Sequence, residues 1–344
     1  MQRRAFLGAG LALAAVGRPA SSQSAAKQPR LLVVDSISSA LVILDGPTFA
    51  KVGRIPLARR PREILLSPNG LMAYVAIYGP GIHGDNPTPG REIIAIDVTT
   101  MRVAKTIALN PHSGPHGMAL TPDGRIWVTC ENEGSLLLID PSAKTRAKTI
   151  AAVVPLGVKG PHWVAITPDG AKVYASSMRN PVLSVVDARE RRLVGEIKVP
   201  RGLDGLAIAP DGRRLFAADL GRAALWVIDV GEDKVVREFP LSEPASRLLA
   251  TPDGSALLIE HEASGTIEVL DVPSLRRRGV AKVGRSPSGL TTSPDGLTAY
   301  VGSFADGTIT VVDLKSLRTI RTITCGGGPD GLALSVTSET QRQN

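Results

Sequence analysis

Hydrophobic positions in this chain fall in short alternating runs broken by tight turns. In Leu297–Ser303 and Thr308–Asp313, apolar and small polar residues trade places with the period of two expected of β-strands. Ser288–Ser293 and the β-branched run Ile320–Thr324 read the same way, and Pro294-Asp295-Gly296 supplies a turn between the first two strands. Pro presets φ at the first turn position, and Asp and Gly tolerate those that follow. One unit is therefore predicted to be four short antiparallel strands.

The unit repeats. Its turn signature stands at Ser67-Pro68-Asn69-Gly70, Thr121-Pro122-Asp123-Gly124, Thr167-Pro168-Asp169-Gly170, Ala209-Pro210-Asp211-Gly212, Thr251-Pro252-Asp253-Gly254 and Ser293-Pro294-Asp295-Gly296, the last four 42 residues apart. A fixed period of this size marks one supersecondary unit copied around a ring or along a solenoid. Third strands end at Asp45, Asp97, Asp140, Asp187, Asp229, Asp271 and Asp313, which gives seven units. Extending the register outward makes Leu31–Val34 a second-type strand and Pro329–Ser335 a first-type strand. The C-terminal strand is thus expected to complete the N-terminal blade and remove open sheet edges. The predicted fold is an all-β, seven-bladed β-propeller of four-stranded antiparallel blades over residues 27–336, followed by a tail, 337–344.

The blade pattern P-x-G-L-A-x-S-P-D-G…A-Y-V-x-S…T-I-T-V-V-D, with Tyr74-Val75 and Tyr300-Val301 as its clearest traces, resembles the YVTN-type β-propeller repeat over 29–336. That family includes surface-layer proteins, periplasmic binding proteins and a few enzymes, so the resemblance implies a fold and leaves the activity open. Residues 1–26 stand apart. Arg3-Arg4-Ala5-Phe6-Leu7 and the apolar stretch to Val16 resemble a twin-arginine export signal, although Gln2 and Gly8 depart from its usual flanks, and Ser24-Ala25-Ala26 offers small residues for cleavage. The run is too short to span a bilayer. The expectation is a periplasmic monomer that does not cross the membrane.

Loss of Arg3, Arg4 and Arg18 lowers the net charge from +8 to +5. Arg189, Arg191, Arg192, Arg213, Arg214, Arg276, Arg277 and Arg278 all fall in turns on the bottom face, which carries the Pro-Asp-Gly turns. Such a face is either a solvated turn surface or a contact for nucleic acid or another anionic surface, and aromatic residues for base stacking are lacking. Cys130 and Cys325 fall in non-adjacent blades and read as two buried thiols rather than a disulfide.

The repeat breaks on the opposite, top face. From turn Pro to third-strand Asp the spacing is 19 residues in the last four blades, 18 in blade three and 29 in blade two, and the surplus is the loop Tyr78–Gly90. A second insertion of five residues is expected near Val154–Gly160, also at the top. All five histidines map there: His83, His112, His116, His162 and His261. Aligned by register, the residues nearest the channel mouth are Arg62, His116, His162, Asp204, Ser246, Ser288 and Asp330. The next position is Gly117, Gly205, Gly289 and Gly331 in four blades but Glu63, Trp163 and Arg247 in the others.

Three readings of this mouth stay open. His116, His162, His112, His83 and His261, with Glu131, are candidate ligands for one divalent transition metal such as Zn, Cu or Fe. A metal-dependent hydrolase of the lactonase kind would use Glu63, Glu131 or Glu260 as general base, with Arg62 or Arg247 orienting an anionic substrate. A non-enzymatic binding module would receive a protein or small-molecule ligand at the same mouth, with Arg62, Asp204, Arg247 and Asp330 as contacts. In the repeat family, Pro-His-Gly is itself common, and the resemblance therefore also allows histidines that only line the channel.

Overall fold

The computed structural model of the protein describes residues 29–336 except Ile82 and Leu220; the export-signal reading and the 337–344 tail lie outside the described residues. Among the described residues, twenty-eight strands form seven four-stranded sheets, each antiparallel throughout. Six blades are sequential in the chain. The remaining one is closed by Pro329–Ser335, which pairs with Arg30–Asp35 in the register Arg30↔Ser335 to Asp35↔Pro329. The expected ring closure is therefore met.

Period-two alternation builds the core because each blade buries both of its faces. In Arg30–Asp35, Leu31 and Val33 pack toward blade seven, while Leu32 and Val34 pack toward blade two. Seven hydrophobic clusters result among the described residues, one for each pair of neighbouring blades. Trp127 and Trp226 lie in two of them as packing residues. The outermost strands are largely exposed on the perimeter, as in Arg318–Thr324.

The repeated acids work as turn formers. Thr167 and Thr251 donate their hydroxyls to Asp169 and Asp253 at 2.5 Å, and Gly254 adopts φ +69°. At a third-strand end, Asp187 Oδ1 accepts the backbone N–H groups of Arg189 at 2.9 Å and Glu190 at 2.7 Å. The second insertion lies on the bottom face and not at the top. It forms the third-to-fourth strand connection of blade three, where Arg146–Thr149 makes a single helical turn and Asp140 N donates to Thr149 O at 2.8 Å. Val154 and Pro155, where the surplus is expected to begin, end the strand Ile150–Pro155, so the added residues precede this strand. Cys130 is buried and Cys325 is half-buried, and both are free thiols. No described helix is long and apolar enough to cross a membrane.

Candidate functional site

The innermost strands meet around the channel, and six of them present their second residue at the top; in blade six the strand shortens to Leu248–Ala250 and Ser246 precedes it. The pairing there is irregular. In blade three Pro115 faces Cys130 but the next pair is Met118↔Val128, so His116 and Gly117 together oppose Thr129. The same bulge sets Arg62-Glu63, His162-Trp163 and Asp204-Gly205 out of the ladder. A bulge re-aims side chains and bends the strand. Thr129 fills the gap, accepting from Gly117 N at 2.9 Å and donating to His162 O of the next blade at 2.6 Å. Gly117 is required there, since a Cβ would come within 2.8 Å of Trp163 Cα. All seven register-aligned residues line one cavity of about 520 Å³.

Glu131 organises one wall. Its Oε2 accepts the Tyr78 hydroxyl at 2.7 Å and Gly84 N–H at 2.5 Å, and its Oε1 lies 2.6 Å from His162 Nδ1 and 3.6 Å from His83 Nδ1. The Tyr78–Gly90 loop thereby folds over the top and delivers His83 to the two channel histidines. It is braced by Asn86 Nδ2 donating to Tyr78 O at 3.0 Å, Asn132 Nδ2 donating to Asn86 O at 2.8 Å, and Arg179 reaching His83 O at 3.3 Å. The His116 and His162 rings stack with centroids 3.9 Å apart, and the His83 ring meets both edge-on at 4.9 and 4.8 Å. His83, His116, Glu131 and His162 each offer a ligand atom within 4.8 Å of the others.

The electrostatics of this wall are split. Burial opposes charge on His162, but Glu131 and Asp204, whose Oδ1 is 3.3 Å from Nε2, outweigh it and push the ring to about 10. Burial lowers His116 well below the ordinary histidine value, and the neighbouring His162 and His83 lower it further. Burial alone would raise Glu131; the His162 cation and the hydrogen bonds hold it well below the usual carboxylate range.

The floor is built from the three residues that replace glycine. Arg247 of blade six forms a bidentate pair with Glu63 of blade two, Nη1–Oε2 at 3.1 Å and Nη2–Oε1 at 2.6 Å. Its guanidinium lies 4.5 Å from the centroid of the Trp163 ring of blade four. These blades are not neighbours, so the three side chains meet across the channel. Asp330 joins them, 2.8 Å from Arg62 and 3.6 Å from Arg247, and Trp163 Nε1 donates to Asp204 at 3.0 Å. Glu260 lies buried beside this network, 3.7 Å from Arg247 Nε, and among the described residues neither of its oxygens accepts a hydrogen bond. Burial raises its carboxyl to about 8, with Glu63, Asp330 and Asp204 adding to the effect and Arg247 opposing it.

The structure therefore brings together His83, His116, His162 and Glu131 on the wall, with Arg62, Glu63, Asp204, Arg247, Glu260 and Asp330 beside or below them. It leaves two of the predicted histidines elsewhere. His261 is fully buried against Glu268 at 3.0 Å and Pro244 O at 3.1 Å, because its strand turns it into blade six. His112 stays on its loop, 3.3 Å from Ser135 Oγ. Tyr78 escaped the sequence reading, although its place at the root of the inserted loop signalled it. On the bottom face Arg214, Arg277 and Arg278 are already engaged with Val272 O, Glu268 and Ser255 O at 2.7, 2.6 and 2.6 Å.

No family model and no curated protein matches this chain. Among solved structures it is similar to Kuenenia stuttgartiensis hydrazine synthase, with TM-score 0.65 and 22% identity over 80% of this chain and 90% of that chain. At that identity the likeness speaks to the propeller fold alone.

Proposed function

We propose that the protein is a propeller-borne binding module that holds one divalent transition metal at its channel mouth and uses the adjoining cavity to receive a small molecule. One observation carries this reading. Three imidazoles and a carboxylate converge within 4.8 Å, and His83 Nδ1 and His116 Nδ1 are buried there without a hydrogen-bond partner among the described residues. Buried nitrogens of that kind are costly unless something satisfies them. The donor set is of the type that binds Zn, Cu or Fe. Tetrahedral ligands about 2.1 Å from an ion stand about 3.4 Å apart, so the group closes on one by drawing in by an ångström or so. His83, His116 and His162 would hold the ion, and Glu131, which already orients His162, would support or join them. A bound metal would supply a Lewis-acidic position for a donor atom of the ligand.

The chain's own residues do the rest. Arg247, clamped by Glu63 and Trp163, gives the cavity a rigid charged floor, and the loop bearing His83 covers one side. Calorimetric titration of metal-stripped, untagged protein with Zn²⁺ or Co²⁺ tests the reading. One ion per chain is expected, with loss of at least a hundredfold in affinity for His116→Ala/His162→Ala. Binding that is absent, or unchanged in that variant, would sink it.

A second reading, hydrolysis of an ester or lactone in the same mouth, is favoured by Glu260, whose elevated carboxyl is able to exchange a proton near neutral pH. A screen of lactones and esters in which wild type is inactive, or as active as Glu260→Gln, removes it. The export-signal resemblance at Arg3-Arg4 supports a periplasmic location, which fractionation of cells expressing the full chain and an Arg3→Lys/Arg4→Lys variant would test.

A further inference from the structure

The mouth has a second wall, built by blade six and opposite in character to the imidazole wall. Glu260 sits near the end of the strand Ala256–His261, its backbone fixed by Ser246 N donating to Glu260 O at 3.1 Å and Glu260 N donating to Arg247 O at 2.9 Å. Its side chain is fully buried, yet among the described residues both carboxyl oxygens lack a hydrogen bond. Ser246 Oγ, also buried and lining the same cavity, lacks one too. Arg247 does not serve them. Its Nη atoms go to Glu63, and its Nε stands 3.7 Å from Glu260, too far for a hydrogen bond.

Buried acceptors without donors are rare in folded proteins, and each calls for a partner. The charge count says what kind. Facing Glu260 are the carboxylates of Glu63, Asp330 and Asp204, and the cations on this side are Arg247, Arg62 and His162, which stands 3.3 Å from Asp204. With Glu260 ionised, four acids meet three cations, an excess of one negative charge. A donor-rich cation would relieve both deficits. A primary ammonium carries one charge and three N–H donors, matching the three open acceptors: two oxygens of Glu260 and one of Ser246.

We propose that Glu260 and Ser246 form a recognition site for a primary ammonium group of the molecule that enters the mouth. The proposal rests on the reading that the mouth receives a small molecule, and it adds that this molecule is an amine. Such a ligand would place its ammonium against blade six and any metal-binding donor toward the imidazole wall.

The test uses the full chain stripped of metal, at pH 8.5, with three probes: butylammonium, tetramethylammonium and 1-butanol. The first has charge and donors, the second charge alone, the third the same carbon chain without charge. Calorimetry or ligand-observed NMR is expected to give butylammonium at least a tenfold lower Kd than either other probe. Glu260→Gln should weaken it tenfold or more, and Ser246→Ala two- to fivefold. Equal binding of all three probes by wild type, or binding of none, overturns the proposal without recourse to any variant. So does unchanged butylammonium affinity in a folded Glu260→Gln protein. The metal reading fails separately: a chain that binds butylammonium but takes up no Zn²⁺ would refute the imidazole site and leave this one standing.

Discussion

Replacing Glu260 by Gln keeps the shape of a buried side chain and removes one titrating group from the mouth. The carboxyl is held at about 8 in the folded chain against an unperturbed 4.5. Below pH 4.5 it is protonated in both folded and unfolded states and contributes no pH dependence. Between 4.5 and 8 the unfolded chain gives up the proton while the folded chain keeps it, so the folded state binds more protons and stability falls as pH rises. At about 1.4 kcal/mol per pH unit over this window, the loss is on the order of 5 kcal/mol, and it persists above pH 8. Glu260→Gln should escape it. Urea unfolding of both proteins at half-unit steps from pH 5 to 9, at constant ionic strength, reads the difference directly. The variant is expected to gain steadily on wild type up to pH 8 and then run parallel to it. Curves that diverge by less than about 1 kcal/mol across the range would refute the claim that this carboxyl is buried without compensation.

Arg247→Ala removes the guanidinium paired with Glu63 and strands a buried acid, so a loss of about 3–5 kcal/mol is expected in the same assay; a loss under 1 kcal/mol would mean that the cross-channel clamp contributes little. Gly331→Ala puts a methyl group 2.6 Å from Arg62 O and 2.9 Å from Ile64 N, and should lower the melting temperature by several degrees. Ending the chain at Gly328 deletes the strand that closes the first blade, leaving Arg30–Asp35 as an open inner edge. Calorimetry should then give loss of the cooperative transition, whereas a native-like melt would show that closure is dispensable.

Much of the mouth was legible in the chain because the repeat is a ruler. Residues spaced by one period occupy equivalent places, so Arg62, His116, His162, Asp204, Ser246, Ser288 and Asp330 could be assigned to one rim, and they line one cavity. The glycine positions were legible for the same reason: close approach of neighbouring inner strands is a local demand repeated in each blade. The bottom insertion was misplaced because a register counts residues and does not say on which side of a strand the surplus falls.

Period, strand order, ring closure and rim membership were therefore determined by the sequence itself, since alternation and turn chemistry act over a few residues at a time. Which rim residues meet was decided only in three dimensions. Arg247 and Glu63 stand 184 residues apart and touch because the ring folds them onto a common axis. His83 reaches the channel histidines because its loop is pinned to Glu131, while His261, equally near the top, is drawn into its own blade by Glu268. Pairings of this kind depend on loop path and on competition among buried charges for partners, and neither leaves a periodic trace in the chain.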